Sequence, residues 1–290
     1  MTFQVAVVGG GSWGTTVAHL VSHNLPTKLW CRDPVVARSI SQKNRNIRYL
    51  GKNKLHPQLH ASVDLEEVVK NADIVLMAIP SISFREVLRK LLPLSKPVTP
   101  IISLTKGLEQ ETNLTMTQVI ESESPGRPTG VLTGPNLAGE VLAGDATAAV
   151  VATENESLRA QAFQVFSTET FRVYTSQDVV GCELGGAFKN VLALAVGMTT
   201  GLGTGDNTRA AVVTRGLAEL ARLGSAMGGA AETFSGLAGL GDLVATCFSP
   251  QSRNRYVGEQ LGKGRKTAEV LAEMNNVAEL SLIHISSPRD

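Results

Sequence analysis

This 290-residue sequence has few aromatic residues (4%), three cysteines and almost no net charge (+1). Each shortage excludes something. Cys31, Cys182 and Cys247 are far apart, odd in number and without C-x-x-C spacing, so they encode neither a disulfide framework nor a structural zinc site. Basic residues (27) balance acidic ones (26) with no block of like charge, which excludes a general nucleic-acid or membrane-surface binder. No apolar run reaches the length of a bilayer span, and there is no internal repeat or low-complexity segment. Residues 1–4 lead directly into a strand, without a basic n-region or cleavage pattern, which predicts a cytoplasmic protein. At 43% hydrophobic and 18% charged, the chain is far from the disordered regime and long enough for two domains.

What is present is an alternation of short apolar runs and helical patterns. Residues 3–8 (FQVAVV) read as a buried parallel strand running into GGGSWG. Gly9, Gly11 and Gly14 match G-x-G-x-x-G, and a helical pattern follows over residues 15–23. Strand, glycines and helix in that order favour a dinucleotide site over a structural turn. Gly9 permits the tight turn, Gly11 lets the backbone approach a pyrophosphate, and Gly14 lets helix and strand pack closely. Residues 28–31 form the second strand. Asp33 lies 19 residues after Gly14, where a ribose-reading acid is expected. Asp33-Pro34 is also the signature of a helix cap, which is the reading we favour. Arg32 is then free to meet a 2′-phosphate, which tilts the cofactor towards NADP.

Residues 44–62 are polar and read as a loop with a short extended piece. His56 and His60 are spaced for a metal pair, but Pro57 interrupts a helix and no third ligand is near, which disfavours that reading. Asp64 caps a short helix, residues 73–79 form a buried strand, and Ser81 or Ser83 caps the next helix. The strand at 101–104 ends in Thr105-Lys106-Gly107. Lys106, at the carboxyl end of a parallel strand, points either into a ligand crevice or to solvent. Residues 112–121 are helical, and a strand at 130–133 meets a second glycine turn, Gly134-Pro135-Asn136, that opens a helix. A strand at 146–152, a helix at 154–166 and a strand at 171–174 complete the alternation. The fold class expected is α/β: a doubly wound parallel Rossmann-type sheet followed by an all-helical C-terminal domain. The dinucleotide-binding domain covers 1–178 and the helical substrate domain 179–290.

The second domain opens with GCELGGAFKN and continues as VLALAVGM to Met198, with Lys189 inside this apolar stretch. A lysine ammonium is strongly hydrated, so Lys189 either snorkels off an amphipathic helix or has a task there. Asn207 or Thr208 caps a helix ending at Gly224. Gly228, Gly229, Gly236, Gly239 and Gly241 imply bends or close backbone approach, and Asp242 follows directly. Ser252-Arg253-Asn254 opens a helical stretch and reads either as a phosphate clamp or as a plain cap with a solvated arginine.

Taken in order, GGGSWGT, SLTKG, TGPNLAGE, GGAFKN, TRGLAELARLG, GLAGLGDL, SRN and NNVAE resemble the bacterial-type NAD(P)-dependent glycerol-3-phosphate dehydrogenases over positions 5–279. The resemblance implies that Ser12, Trp13, Arg32, Ala138, Arg253 and Glu279 contact NADP or NAD, and that Lys106 touches both cofactor and substrate. It implies that Gly134 and Asn136 border the substrate, with Asn136 standing where the family often has Ser or Thr. Lys189 would be the proton donor and acceptor, and Asp242, Ser252, Arg253 and Asn254 would hold glycerol phosphate. The reaction implied is interconversion of dihydroxyacetone phosphate and sn-glycerol 3-phosphate, feeding phospholipid synthesis. It involves a small-molecule substrate, no metal and no nucleic acid, and it leaves a homodimer open. For Lys189 to act as a base, desolvation or a cationic neighbour such as Lys106 is expected to lower its pKa from about 10.4. Residues 280–290 (LSLIHISSPRD) lack the family likeness, so the expectation is an unrelated tail on an incomplete substrate domain. Two alternatives stay open: a related two-domain hydroxy-acid dehydrogenase, and a cofactor-binding fragment inactive through truncation.

Overall fold

In the computed structural model, which describes residues 3–273, Val5–Val8 forms β1 within an eight-stranded sheet. The other strands are β2 (Thr27–Trp30), β3 (His60–Ser62), β4 (Ile74–Met77), β5 (Ile101–Ser103), β6 (Thr129–Thr133), β7 (Thr147–Ala152) and β8 (Phe171–Ser176). Their spatial order is β3-β2-β1-β4-β5-β6-β7-β8. Four consecutive apolar residues in β1 demand cover on both faces, and helices supply it. These are α1 (Ser12–Val21), α2 (Pro34–Lys43), α3 (Ile47–Leu50), α4 (Leu65–Val69), α5 (Ser81–Leu91), α6 (Met116–Glu123), α7 (Ala138–Ala143) and α8 (Glu156–Phe166). Val5 and Val7 join a core with Val17 of α1, Ile40 of α2 and Phe166 of α8. Ala6 and Val8 join a second core with Phe84 and Leu88 of α5 and Val119 of α6. The period-2 alternation of one strand thus feeds two cores, which is what double winding means physically.

The sheet is mostly parallel rather than parallel throughout. β7 runs antiparallel to β6, with Leu132 opposite Val151, and β8 follows β7 in parallel. The six-residue α7 is about 9 Å long, against about 17 Å for β6, so it does not carry the chain back to the start of that strand. Three local expectations also change. The 44–62 stretch contains a helical turn, α3, capped by Asn46. Ser81 is the first residue of α5 behind Pro80 and makes no cap bond. The helix expected from residue 112 begins at Met116, because a Leu108–Thr115 bridge and Asn113, at φ 57°, close a loop before it.

The chain divides into two compact units between Val179 and Val180. The second is helical among its described residues: α9 (Val179–Gly201), α10 (Asp206–Ala226), α11 (Ala231–Ser235), α12 (Asp242–Phe248), α13 (Arg253–Gly262) and α14 (Thr267–Glu273). Small residues let α9 and α13 touch through their backbones. A Cβ on Gly197 would sit 2.1 Å from the Arg255 carbonyl oxygen, and one on Gly258 2.0 Å from that of Leu194. Gly224 does not end its helix. It lies within α10 against the Phe234 ring, where a Cβ would be 2.0 Å from Cζ, so packing and not capping requires glycine there. Neither Asn207 nor Thr208 caps α10, which starts at Asp206 behind Gly205. Contrary to the sequence reading, α9 is long and apolar enough to cross a bilayer by length and composition alone. It is nonetheless the packed centre of this unit, with Glu183, Lys189 and Asn190 buried along it. Glu279 and the tail at 280–290 lie outside the described residues.

Candidate active site

In the first unit the candidate groups gather at the carboxyl ends of β1, β5 and β6. Gly9 has φ 127° and packs on the Ala78 carbonyl, while a Cβ on Gly14 would sit 2.0 Å from the Gly9 carbonyl oxygen. α1 therefore starts in contact with the turn. A Cβ on Gly11 would meet nothing within 4 Å, so this side of the turn is open. No side chain caps α1 and no acidic residue lies in its first turn, which leaves the partial positive charge of its N-terminus available to an anion. Ser12 and Trp13 form that first turn, with Trp13 half-buried against the core. This cradle fits the pyrophosphate of a dinucleotide.

Arg32 is exposed just after β2. Asp33 is occupied as a cap: it accepts from the Val35 amide at 2.8 Å and pairs with Arg48 at 2.7 Å. Those two contacts, the amide first, hold its carboxyl below the usual range. The Lys106 Nζ donates to the Gly134 carbonyl at 3.0 Å. Gly134 has φ 125°, and the Asn136 amide, with its nitrogen turned to the same carbonyl, lies 2.9 Å from it. Ala138 opens α7, and its carbonyl accepts from the Thr16 hydroxyl of α1 at 3.4 Å. Lys106, Gly134 and Asn136 are thus brought together, with Ala138 beside the glycine helix. The loop carrying Lys106 is pinned by residues that sequence reasoning missed. Arg85 of α5 holds both Glu109 oxygens (2.7 and 2.6 Å), and that guanidinium is the main reason the Glu109 carboxyl is held down to about 2. His56 and His60 go to different neighbours: His23, at 4.7 Å between ring centroids, and Glu67, at 3.4 Å.

In the second unit Lys189 is 7% exposed. Its Nζ donates to Asp242 Oδ1 at 2.5 Å and to the Thr246 hydroxyl at 2.8 Å. Thr246 in turn donates to the Asp242 carbonyl at 2.7 Å. A wide π-helical turn over Leu237–Gly241 delivers Asp242 as the first residue of α12. Within this unit the charged neighbour of Lys189 is a carboxylate, and the burial expected from the apolar run around it is there as well. A buried ammonium needs such a partner. The nearby Cys247 thiol is pushed up to about 12, chiefly by burial, which keeps it protonated. Thr246 was missed by sequence reasoning. Its signal is the i+4 spacing from Asp242, which puts both on one face of a helix.

Ser252 is the cap of α13, accepting from the Arg255 amide at 3.2 Å. Arg253 is exposed at the first position of that helix. Asn254 is 4% exposed, and its Oδ1 is buried without a hydrogen-bond partner. An acceptor left in that state costs about 1–3 kcal/mol unless a ligand supplies the donor, and a ligand hydroxyl fits.

Comparison with known proteins bears on both units. Residues 4–159 match the family model described as NAD-dependent glycerol-3-phosphate dehydrogenase N-terminus. Residues 178–281 match its C-terminal counterpart. A protein of Sphingopyxis alaskensis named glycerol-3-phosphate dehydrogenase (NAD(P)+) 2 is 53% identical over 279 residues, covering 96% of this chain and 84% of that one. One from Mycobacterium bovis named glycerol-3-phosphate dehydrogenase (NAD(P)+) 1 is 52% identical, covering 95% and 81%. The crystal structure of glycerol-3-phosphate dehydrogenase from Coxiella burnetii superposes with a TM-score of 0.92 at 36% identity, covering 98% of this chain and 88% of that one.

Proposed function

This chain belongs to the NAD-dependent glycerol-3-phosphate dehydrogenase family, and from that premise we propose how its residues interconvert dihydroxyacetone phosphate and sn-glycerol 3-phosphate with NADP or NAD. The observation that carries the reading is the hydrogen-bond state of Lys189. An ammonium has three donors. Asp242 and Thr246 take two of them, and the third is left for a substrate oxygen. When bound, the nicotinamide supplies or receives the hydride. Lys189 donates to the carbonyl oxygen as negative charge develops there and gives up its proton. In the reverse direction neutral Lys189 accepts the hydroxyl proton. Asp242 keeps Nζ in place and supplies its counter-ion, so it acts on the substrate through Lys189.

Gly9, Gly11 and Gly14 let the start of α1 approach the pyrophosphate, with Ser12, Trp13 and Ala138 alongside. Arg32 meets a 2′-phosphate, which favours NADP over NAD. Lys106 serves both cofactor and substrate, bordered by Gly134 and Asn136. Arg253 at the start of α13 holds the substrate phosphate, Ser252 supports that helix start, and Asn254 accepts from a glycerol hydroxyl. Binding at this remote group orients the reacting carbon. The same reading puts the enzyme in the cytoplasm, making glycerol phosphate for phospholipid synthesis. The test is the absorbance loss of NADPH with and without dihydroxyacetone phosphate, repeated with NADH. Oxidation that depends on the substrate, with a lower KM for NADPH, is expected. No substrate-dependent oxidation with either cofactor would overturn the reading.

A further inference from the structure

Asn46 takes no part in the chemistry above, yet it is fully buried, at 0% exposure, and bonded to the glycine turn. Its amide nitrogen donates to the Gly10 carbonyl at 3.0 Å and to the Thr15 hydroxyl at 2.8 Å. Its Oδ1 accepts from the Tyr49 amide at 3.3 Å, which caps α3. Both donors and the acceptor are thus used, one contact on the turn, one on α1 and one on the segment that carries Asn46.

The consequence follows from peptide geometry. In a trans peptide the C=O and the next N–H point in opposite directions across a rigid plane. With the Gly10 carbonyl held towards Asn46, the Gly11 N–H faces away from it. On the other flank of the turn, a Cβ on Gly10 would meet Cys31 Sγ at 2.4 Å, whereas Gly11 faces open space. Three consecutive glycines have no side chains to set that plane and sample many backbone states, so its orientation has to come from outside the turn. We propose that Asn46 is a positioning residue: it fixes the Gly10–Gly11 peptide so that the Gly11 N–H faces the dinucleotide pyrophosphate before the cofactor arrives. This rests on the assignment of the turn as the cofactor site.

The test is direct titration of NADPH, read by its own fluorescence, on the full chain and on two variants. Asn46→Ala removes all three bonds. Asn46→Asp keeps the size and an acceptor for Tyr49 but sets a carboxylate against the Gly10 carbonyl. Both should raise the Kd for NADPH about tenfold or more, as loss of a preorganised donor does. The KM for NADPH should rise in step, far more than kcat falls, and the KM for dihydroxyacetone phosphate at saturating NADPH should stay within about twofold. Circular dichroism confirms that the variants fold. Wild-type NADPH affinity in a folded variant would overturn the proposal, as would an equal rise in both KM values, or failure of both variants to fold. If the unaltered chain does not bind NADPH, the assignment of the turn falls first and takes the proposal with it.

Discussion

In the first unit the proposed ligand groups are chiefly backbone amides at the start of α1, set by glycines and by one buried asparagine, with Arg32 and Lys106 beside them. In the second they are side chains, Lys189 and Asn254, buried in helices that cross through small residues. Both units spend glycine on close approach, but for different ends. Gly14 in the first brings the start of α1 onto the glycine turn. Gly197 and Gly258 in the second bring two helices together around buried polar groups. A cradle of amides is insensitive to most side chains and intolerant of an added Cβ. A buried ion pair tolerates neighbours but not the loss of a partner.

The sharpest test of this contrast is Lys189→Met. Turnover should fall by about 10²–10⁴, the range for loss of a positioned acid, while NADPH titrates as before. Near-normal turnover would remove Lys189 from the chemistry and erase the distinction between the units. Asp242→Asn leaves the Lys189 ammonium buried without its counter-ion, and a loss of roughly 3 kcal/mol is expected in denaturant melts.

The glycines separate the units next. Gly14→Ala drives a Cβ into the Gly9 carbonyl and should destabilise the chain by about 1–3 kcal/mol. Gly11→Ala should leave the melt alone and weaken NADPH binding, because that methyl enters only the open side. In the second unit Gly224→Ala decides between local and tertiary effects. In an unpacked helix this change stabilises by about 1 kcal/mol. Against the Phe234 ring it should instead destabilise by about 1–3 kcal/mol, and a raised melting temperature would contradict the packing seen here.

The smallest effect concerns pH and belongs to the first unit. The His19 imidazole is pushed down to about 4, by burial first and then by His23 and His56, and its Nδ1 accepts from the His56 amide at 2.8 Å. An unfolded histidine titrates near 6.5. Between about pH 6.5 and 4 the unfolded chain therefore binds the proton and the folded chain does not, so stability falls as pH falls through that window. With its partial exposure discounted, the loss is about 1–2 kcal/mol. His19→Gln should flatten the melting temperature over that range, and an unchanged slope would remove His19 as its source.

Much of this was legible from local pattern. The strand-glycine-helix order marked the cradle. Asp33-Pro34 marked a cap that the Val35 amide bond realises, and Lys189 stood out because a charge in an apolar helix needs a reason. The failures were also local patterns. Gly224 looked like a helix stop because stop signals and packing glycines are written with the same letter. Residues 112–121 had helical composition, but Asn113 in the left-handed region delays the helix to Met116.

By itself, then, the sequence determined the alternation of strands and helices, the glycine turn, the caps at Asp33 and Asp64, and the presence of an isolated lysine, while it left Ser252 open between a cap and a phosphate clamp. Periodicity, φ preference and capping act over a few residues and need no distant partner. Only the tertiary structure decided that β7 and β8 reverse direction, that Asp242 and Thr246, 53 and 57 residues along the chain, close on Lys189, and that Asn46, 36 residues from Gly10, holds its carbonyl. Those contacts join residues with no local relation, and packing alone selects which of the many polar side chains in the sequence meet.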